Sequence, residues 1–309
     1  MEYAVYKLYF NVGVHFGNGT LADSEPIVHA DTLFSALCHE AIKHGGNDSL
    51  SKLVSLTQND SLVFSDCMPY VSDELFIPKP LKSIVREDNG NSSSKKAFKK
   101  LTYISVGKLS DYLAGGLDPL IEVKKLSELG KYSIKSQAAI RGLDESMPYS
   151  VGVFTFNEDN GLYFIVGFKE SDNSYFVEEL LQGLSYSGIG GKTSAGFGKF
   201  DFQISIIPKS LENRLNETAS KTMMTISSSM ATKVEIKEII EGSNYLLVKR
   251  SGFVSSDTYS ENPMKKRDFY LFKAGSCFTN SFKGDVFDVS AGGKHPVYRY
   301  AKPMLIGVE

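Results

Sequence analysis

The sequence predicts an α+β protein of two units, because one pattern of strands and helices fills its first two thirds and a strand-rich pattern fills the rest. Residues 1–208 predict, in order, a strand, a helix, two strands, a helix and a strand, with an insertion at about 79–150. This is the ferredoxin-like order. Pro208 and the polar stretch 209–220 predict a linker. Residues 221–309 are mainly short strand-like runs with one helical segment, so they predict a second, smaller α+β unit.

The first strand and the first helix are the clearest elements. Residues 3–10 (YAVYKLYF) are rich in aromatic side chains and other strand formers. After a glycine-containing loop, residues 29–42 carry apolar side chains at helical spacing. Asp31 is expected to be the N-cap of this helix, because a carboxylate there accepts from the first free N–H groups. The pair Gly45–Gly46 is expected to end the helix, and a shorter one can follow near 49–57.

Further elements complete the first unit. They are strand-like pieces between 62 and 81, a basic helical segment at 95–104, a hairpin-like excursion at 133–156, a helix near 174–185 and a last strand at 199–207. Residues 153–156 and 162–168 flank a turn, which predicts that these two strands form a second hairpin.

Bulk composition excludes several classes of protein. The chain is 42% hydrophobic and 23% charged, which is ordinary for a globular protein and unlike collagen, coiled coils or disordered chains. No apolar run approaches the roughly 20 residues that span a bilayer, so no membrane partner is expected. Cys38, Cys67 and Cys277 are odd in number and far apart, which favours a reduced, cytoplasmic protein. No CxxC and no carboxylate pair with metal-ligand spacing is present, so we expect neither metal nor cofactor.

A net charge of −2 conceals blocks of opposite sign. Residues 79–141 contain 13 basic and 6 acidic side chains, and residues 221–309 contain 13 and 9, whereas the two remaining blocks are acidic. A polyanion partner is compatible with this pattern, because phosphate contact depends on the local field rather than on the total. The alternative is that the basic and acidic blocks pair with each other in the folded chain.

The most informative segment is Ser187–Phe200, SGIGGKTSAGFGKF. Its five glycines permit positive φ, and their N–H groups together with Lys192 predict a concave anion site suited to phosphates. It is not a P-loop, because Tyr186 stands where the first glycine belongs and the segment leads from a helix to a strand. It also does not match the dinucleotide-binding motif G-x-G-x-x-G, because Thr193 stands where the last glycine belongs. The alternative is a flexible helix-to-strand connection.

Several segments together resemble the RAMP superfamily of CRISPR RNA-binding proteins. The glycine-rich loop lies where that superfamily has one, between the second helix and last strand of a ferredoxin-like domain. The other matching segments are HADTLFSALCHEAI (29–42), NVGVHFGNG (11–19), GFVSS (252–256), YLFKAGSCF (270–278), GDVFDV (284–289) and YAKPMLIGV (300–308). Within the superfamily they are similar to the subunit that binds the guide RNA 5′ handle in type III-A Csm complexes.

The resemblance implies two ferredoxin-like (RRM-like) domains, 1–208 and 221–309, with a thumb-like insertion. It implies a non-catalytic subunit that caps the 5′ handle of the guide RNA and anchors the large palm-domain subunit. It also implies contact with an adjacent backbone RAMP subunit and, near the thumb, with target RNA. The alternative is a metal-independent endoribonuclease, also found in the superfamily, which would use His15, His29 or His39 as general acid or base.

The candidate RNA-binding residues lie in four places: the glycine-rich loop, the loop after the first strand, the thumb and the C-terminal unit. They are Gly188, Gly190, Gly191, Lys192, Thr193, Ser194 and Gly196; His15, Gly17, Asn18 and Gly19; Arg141; and Arg250. The loop after the first strand is expected to contact handle bases, or else to be an ordinary polar surface loop. Arg250 is expected to face RNA or the large subunit.

Overall fold

The computed structural model describes residues 1–17, 19–85, 92–139, 147–217 and 219–309. Two of the candidate residues, Asn18 and Arg141, lie outside the described residues. The strands are β1 (Glu2–Tyr9), β2 (Leu62–Phe64), β3 (Met68–Val71), β4 (Glu74–Pro78), β5 (Tyr103–Ser105), β6 (Gly130–Ala139), β7 (Met147–Phe156), β8 (Asn160–Phe168), β9 (Asp201–Ser205), β10 (Met223–Thr225), β11 (Leu247–Arg250), β12 (Phe269–Phe272), β13 (Cys277–Phe278), β14 (Val286–Asp288), β15 (Tyr298–Tyr300) and β16 (Leu305–Gly307). The α-helices are α1 (Ala30–Gln58), α2 (Ser92–Lys100), α3 (Leu109–Leu113), α4 (Pro119–Ser127), α5 (Ser171–Ser187), α6 (Lys209–Leu215) and α7 (Ile236–Ile240).

The first unit is built on an antiparallel sheet with the order β5-β4-β3-β8-β1-β9. β2 pairs with β8 on the same side as β3, so β2 and β3 together act as one interrupted strand. The sheet therefore has the strand order of a ferredoxin-like fold, extended by β4 and β5. α5 covers it with the apolar side chains that its sequence predicted, from Phe176 to Leu184. The predicted α+β class and ferredoxin-like order are confirmed.

Helix α1 is longer than predicted and begins differently. Its backbone leaves helical geometry at Gly45 and Gly46, where the sequence predicted a stop, and then continues to Gln58. The prediction that Asp31 is the N-cap is wrong, because His29 occupies that position and Asp31 lies buried in the first turn. Arginines from the C-terminal unit reach the Asp31 carboxylate, so its negative charge is used between units rather than for capping.

The predicted hairpin between residues 153–156 and 162–168 is wrong, although both strands exist. β7 pairs along its whole length with β6, in a register of ten residue pairs that starts at Gly130 and Phe156. β8 is buried and pairs with β1, β2 and β3 instead. The turn at 157–159 therefore leads from the β6–β7 hairpin into the central sheet. Strand content is local, but the choice of partner depends on distant residues.

The C-terminal unit consists of small antiparallel sheets: β13-β10-β16, β11-β12 and β14-β15. Residues 219–309, all of them described, contain one α-helix, the five-residue α7, where a complete ferredoxin-like order has two. Its Tyr300 packs against Phe34 and Phe64, so the two units share one hydrophobic core.

The stretch 209–220 is more ordered than its polar composition predicted. It contains α6, whose Leu211 and Leu215 are buried, whereas Lys209, Ser210 and Asn213 are exposed. Arg214 donates from Nη1 to the Gly307 carbonyl over 2.7 Å, which ties α6 to β16. Where one domain ends and the next begins stays a prediction. Within the described parts of the chain, no helix is both long and apolar enough to cross a membrane.

Candidate nucleic-acid interface

A groove of about 970 Å³ runs between the two units. Its walls are the loop after β1, the first turns of α1, the start of the glycine-rich loop and strand β11. The candidate residues that line it are His15, Gly17, Gly19, Gly188, Gly190, Gly191, Thr193 and Arg250. Lys192, Ser194 and Gly196 belong to the same loop but do not line the groove. Three segments that are far apart in sequence are thus brought to one surface.

The glycine-rich loop is clamped onto the loop after β1. The Gly191 N–H donates to the His15 carbonyl over 2.9 Å, and the Gly198 N–H donates to the Gly13 carbonyl over 3.1 Å. Gly190 has a φ of +101°, and a Cβ there would lie 2.7 Å from the Phe16 ring. These glycines are required by close packing between two loops, a reason that the sequence did not reveal.

The same loop presents a run of unpaired backbone donors. Among the described residues, the N–H groups of Gly190, Lys192, Thr193 and Ser194 have no acceptor. Lys192 has left-handed backbone geometry, with φ +61° and ψ +26°. Successive N–H groups in such a turn form a concavity that binds anions.

The Lys192 side chain points away from this groove toward the thumb-like hairpin. Its Nζ lies 4.6 Å from the centre of the Tyr149 ring and 3.4 Å from the Tyr149 hydroxyl oxygen. The ammonium therefore makes a cation–π contact with β7. Lys192 links the glycine-rich loop to the start of β7, near the end of the hairpin that carries the connecting segment, which was not foreseen.

His15 is largely enclosed, with 6% of its surface exposed. Its Nδ1 lies 2.7 Å from the Gly152 carbonyl oxygen and donates to it, because a carbonyl can only accept. A Cβ at Gly191 would fall 2.7 Å from Cδ2 of the same ring. The imidazole thus supports the glycine-rich loop from beneath, whereas Gly17 is exposed at the groove.

Arg250 forms part of a charged contact between the two units. Its Nε donates to Oδ2 of Asp31 over 3.0 Å, and its Nη2 donates to the Thr32 hydroxyl over 2.7 Å. Arg299 also donates to Oδ2 of Asp31. Burial acts to raise the pKa of Asp31, but the two guanidinium charges outweigh it and lower the pKa to about 2. Oδ1 of Asp31, together with Nε and Nη2 of Arg299, is enclosed and has no partner among the described residues.

A second polar cluster lies beside this contact, at the start of α1. Asp66 follows β2 and accepts hydrogen bonds from His29 and Ser228 and from the Ala30 N–H. We call the combined set the junction; its members are His29, Asp31, Asp66, Ser228, Arg250 and Arg299. Of these, Asp66, Ser228 and Arg299 gave no sequence signal of a functional role, because nothing near them marks their distant partners.

The groove carries further positive charge. Lys249, Lys266 and Lys273 line it, as does Lys43 of α1. Burial and the nearby Arg299 charge lower the pKa of Lys266. Lys43 donates to Glu40 over 2.6 Å and to the Ser187 hydroxyl over 3.0 Å. Positive side chains and free N–H groups thus occupy the same surface, which suits a phosphate-bearing strand.

The β6–β7 hairpin projects apolar side chains into solvent. Tyr132, Ile134 and Met147 are each about half exposed or more. The segment 140–146 between the two strands, which includes part of the predicted thumb, lies outside the described residues. The described part of the chain holds no group of three or more His, Cys, Asp or Glu side chains able to bind a metal ion.

Family models match both units. The RAMP superfamily model matches residues 12–201, and the model of the CRISPR Csm4 C-terminal domain matches residues 218–308. A Csm4 protein of Mycobacterium tuberculosis is 39% identical over 295 residues, which cover 95% of this chain and 94% of that protein. A Csm4 protein of Streptococcus thermophilus is 32% identical over the full length of both chains.

Solved structures match the fold over almost the whole chain. The Csm3–Csm4 subcomplex of a type III-A CRISPR–Cas interference complex contains a chain with a TM-score of 0.68, 19% identity and 99% coverage of both chains. A Csm1–Csm4 cassette in complex with cA4 contains one with a TM-score of 0.62, 18% identity, and coverage of 99% of this chain and 98% of that chain. The resemblance drawn from the sequence is confirmed. This chain belongs to the Csm4 family of the CRISPR RAMP superfamily.

Proposed function

We propose that this CRISPR complex subunit caps the 5′ handle of the guide RNA and anchors the large palm-domain subunit of a type III-A complex. The groove between the units carries the proposal. It combines unpaired backbone N–H groups at Gly190 and Thr193 with a wall of lysines and an exposed loop after β1.

The groove's chemistry suits a single RNA strand. Backbone N–H groups and ammonium groups bind phosphates, so the affinity should fall steeply as salt rises. Gly17, which is exposed, and Gly19, whose φ is +93°, would let bases approach the loop closely. Bases of a single strand are open to such contacts along their edges. The candidate residues that line the groove would act there, and Lys192 would act from the hairpin side.

The proposed protein partners follow from the solved relatives, in which Csm4 is assembled with Csm3 or with Csm1. We infer that this chain likewise contacts an adjacent backbone RAMP subunit and a large subunit, and that its exposed β6–β7 hairpin meets target RNA. We also infer that it works in the cytoplasm and catalyses no reaction. The endoribonuclease alternative predicts cleaved repeat RNA after incubation with the pure protein without metal.

A binding experiment tests the proposal. The affinity for handle RNA and for RNA with a scrambled handle would be measured at several salt concentrations. We expect tighter binding of the true handle, and equal affinity at every salt concentration would exclude handle recognition.

Alanine at Lys249 and Lys273, which are exposed and line the groove, should flatten the dependence of log Kd on log salt by about 0.7 per lysine. Lys169→Ala is the matched control, because Lys169 is exposed and lies outside the groove. If the slope of log Kd against log salt is unchanged in the Lys249 and Lys273 variants, these lysines do not contact the RNA.

A further inference from the structure

His29 is held by one edge of its ring within the junction. Its Nδ1 lies 3.0 Å from Oδ2 of Asp66 and 2.9 Å from the Ser228 hydroxyl oxygen. Asp66 is buried and also accepts from the N–H groups of Ala30 and Ser228, over 2.8 and 2.7 Å. Three segments of the chain, from α1, β2 and the C-terminal unit, thus fix the orientation of one imidazole.

These contacts determine which ring nitrogen carries the proton. The Ser228 hydroxyl donates to Oδ2 of Asp66 over 2.9 Å. Nδ1 must also donate to that oxygen, because a bare nitrogen and a carboxylate oxygen at this distance would repel each other. In the neutral ring Nε2 is therefore the unprotonated nitrogen and presents an acceptor.

Nε2 opens toward the groove. His29 lines the groove and its side chain keeps 17% exposure, although Nδ1 is enclosed by two partners. Nε2 has no partner among the described residues and is not one of their enclosed unpartnered atoms. Arg250, Arg299 and Lys266 on this wall offer donors, whereas the neighbouring carboxylates of Asp31 and Asp66 accept from the two arginines and from His29 and Ser228. An oriented acceptor without a partner suits a ligand group that donates.

We propose that Nε2 of His29 accepts a hydrogen bond from the RNA strand in the groove, either from a ribose 2′-hydroxyl or from an exocyclic base amine. The proposal rests on the proposed function, because it assumes that RNA occupies this groove. Phosphates would contact the surrounding cations and N–H groups, whereas His29 would accept a hydrogen bond from an uncharged hydroxyl or amine. The 2′-hydroxyl version would let the protein distinguish RNA from DNA at one position.

His29→Asn is the informative variant. The asparagine amide can still donate to Asp66 from the position of Nδ1, but nothing replaces Nε2 in the groove. His44→Asn is the matched control, because His44 lies on the same helix, is exposed and does not line the groove. Thermal melting of both variants would establish that they are folded.

The test combines these variants with modified handles. One series carries a single 2′-deoxy substitution at each handle position in turn, and another replaces single bases by analogues without the exocyclic amine. For the wild type and His44→Asn, we expect one modification to weaken binding about fivefold to tenfold, as expected for one lost hydrogen bond. For His29→Asn, that modification should have no effect. The series in which the effect appears identifies the donor.

The outcomes separate the two proposals. If the wild type binds true and scrambled handles equally, the proposed function fails. If it prefers the true handle but His29→Asn responds to every modification as the wild type does, the His29 proposal alone fails. If His29→Asn does not fold, the ¹⁵N chemical shift of His29 Nε2 in the wild type is measured instead. A shift that stays the same when handle RNA is added would overturn the proposal. Handle cleavage by the wild type but not by His29→Asn would also overturn it, because Nε2 would then be a general base.

Discussion

The glycine-rich loop and the junction line the same groove but are built by opposite means. The loop is a single segment, Ser187–Phe200, held mainly by backbone hydrogen bonds to the loop after β1. The junction gathers side chains from residue 29 to residue 299 and is held by charge and by buried hydrogen bonds. A local motif is therefore visible in the sequence, whereas a long-range polar cluster is not.

In both regions, the role that the residue type suggested differs from the role that the structure shows. The glycines suggested close approach of a ligand, but Gly190 and Gly191 are needed first of all by the loop's packing on Phe16 and His15. Asp31 suggested a helix cap, but its charge joins the two units. In both places the residue type was informative, and its partner could be identified only in three dimensions.

The strongest test of the comparison removes the central charge of the junction. Asp31→Ala should lower the free energy of unfolding by about 3–5 kcal/mol, because Arg299 would remain buried without its counter-charge. Denaturant titration measures this. Asp172→Ala is the control, since Asp172 is an exposed acid in the first turn of α5 and should change stability by less than about 1 kcal/mol. Equal effects of the two changes would contradict an inter-unit role for Asp31.

Acid should weaken the junction in a defined range. The pKa of Asp31 is about 2 in the folded chain against 3.8 for an ordinary aspartate. Its contribution to stability is therefore complete above pH 4 and is lost as the pH falls from 4 toward 2, by about 2 kcal/mol. Across that range, the free energy of unfolding should fall less in Asp31→Asn than in the wild type. An identical pH profile in that variant would assign the acid sensitivity to other carboxyl groups.

The loop should respond to added volume rather than to lost charge. Gly190→Ala should destabilise the chain by about 1–2 kcal/mol from its positive φ alone, with a further loss from the contact with Phe16, and should weaken RNA binding. Gly196→Ala is the matched control, because its φ of +88° carries similar strain while its Cβ would meet nothing within 4 Å. Equal melting temperatures and affinities in the two variants would show that packing on Phe16 does not hold the loop.

The sequence predicted local elements well and pairings poorly. The apolar faces of α1 and α5, the break at Gly45–Gly46 and the β6–β7 excursion were anticipated because each depends on spacing within one segment. The partner of β7 was predicted wrongly, because strand composition is local whereas pairing depends on contacts with distant residues. The polar stretch 209–220 concealed α6, whose two buried leucines are four residues apart.

The sequence by itself determined the fold class, the family resemblance and the glycine-rich loop, because these depend on short-range spacing and on motifs a few residues long. Only the tertiary structure decided that Arg250 and Arg299 share Asp31, that His15 supports the loop and that His29 is oriented by Asp66. Those contacts join residues up to 268 positions apart. Such buried polar contacts form only when the two units pack together, so no local sequence pattern predicts them.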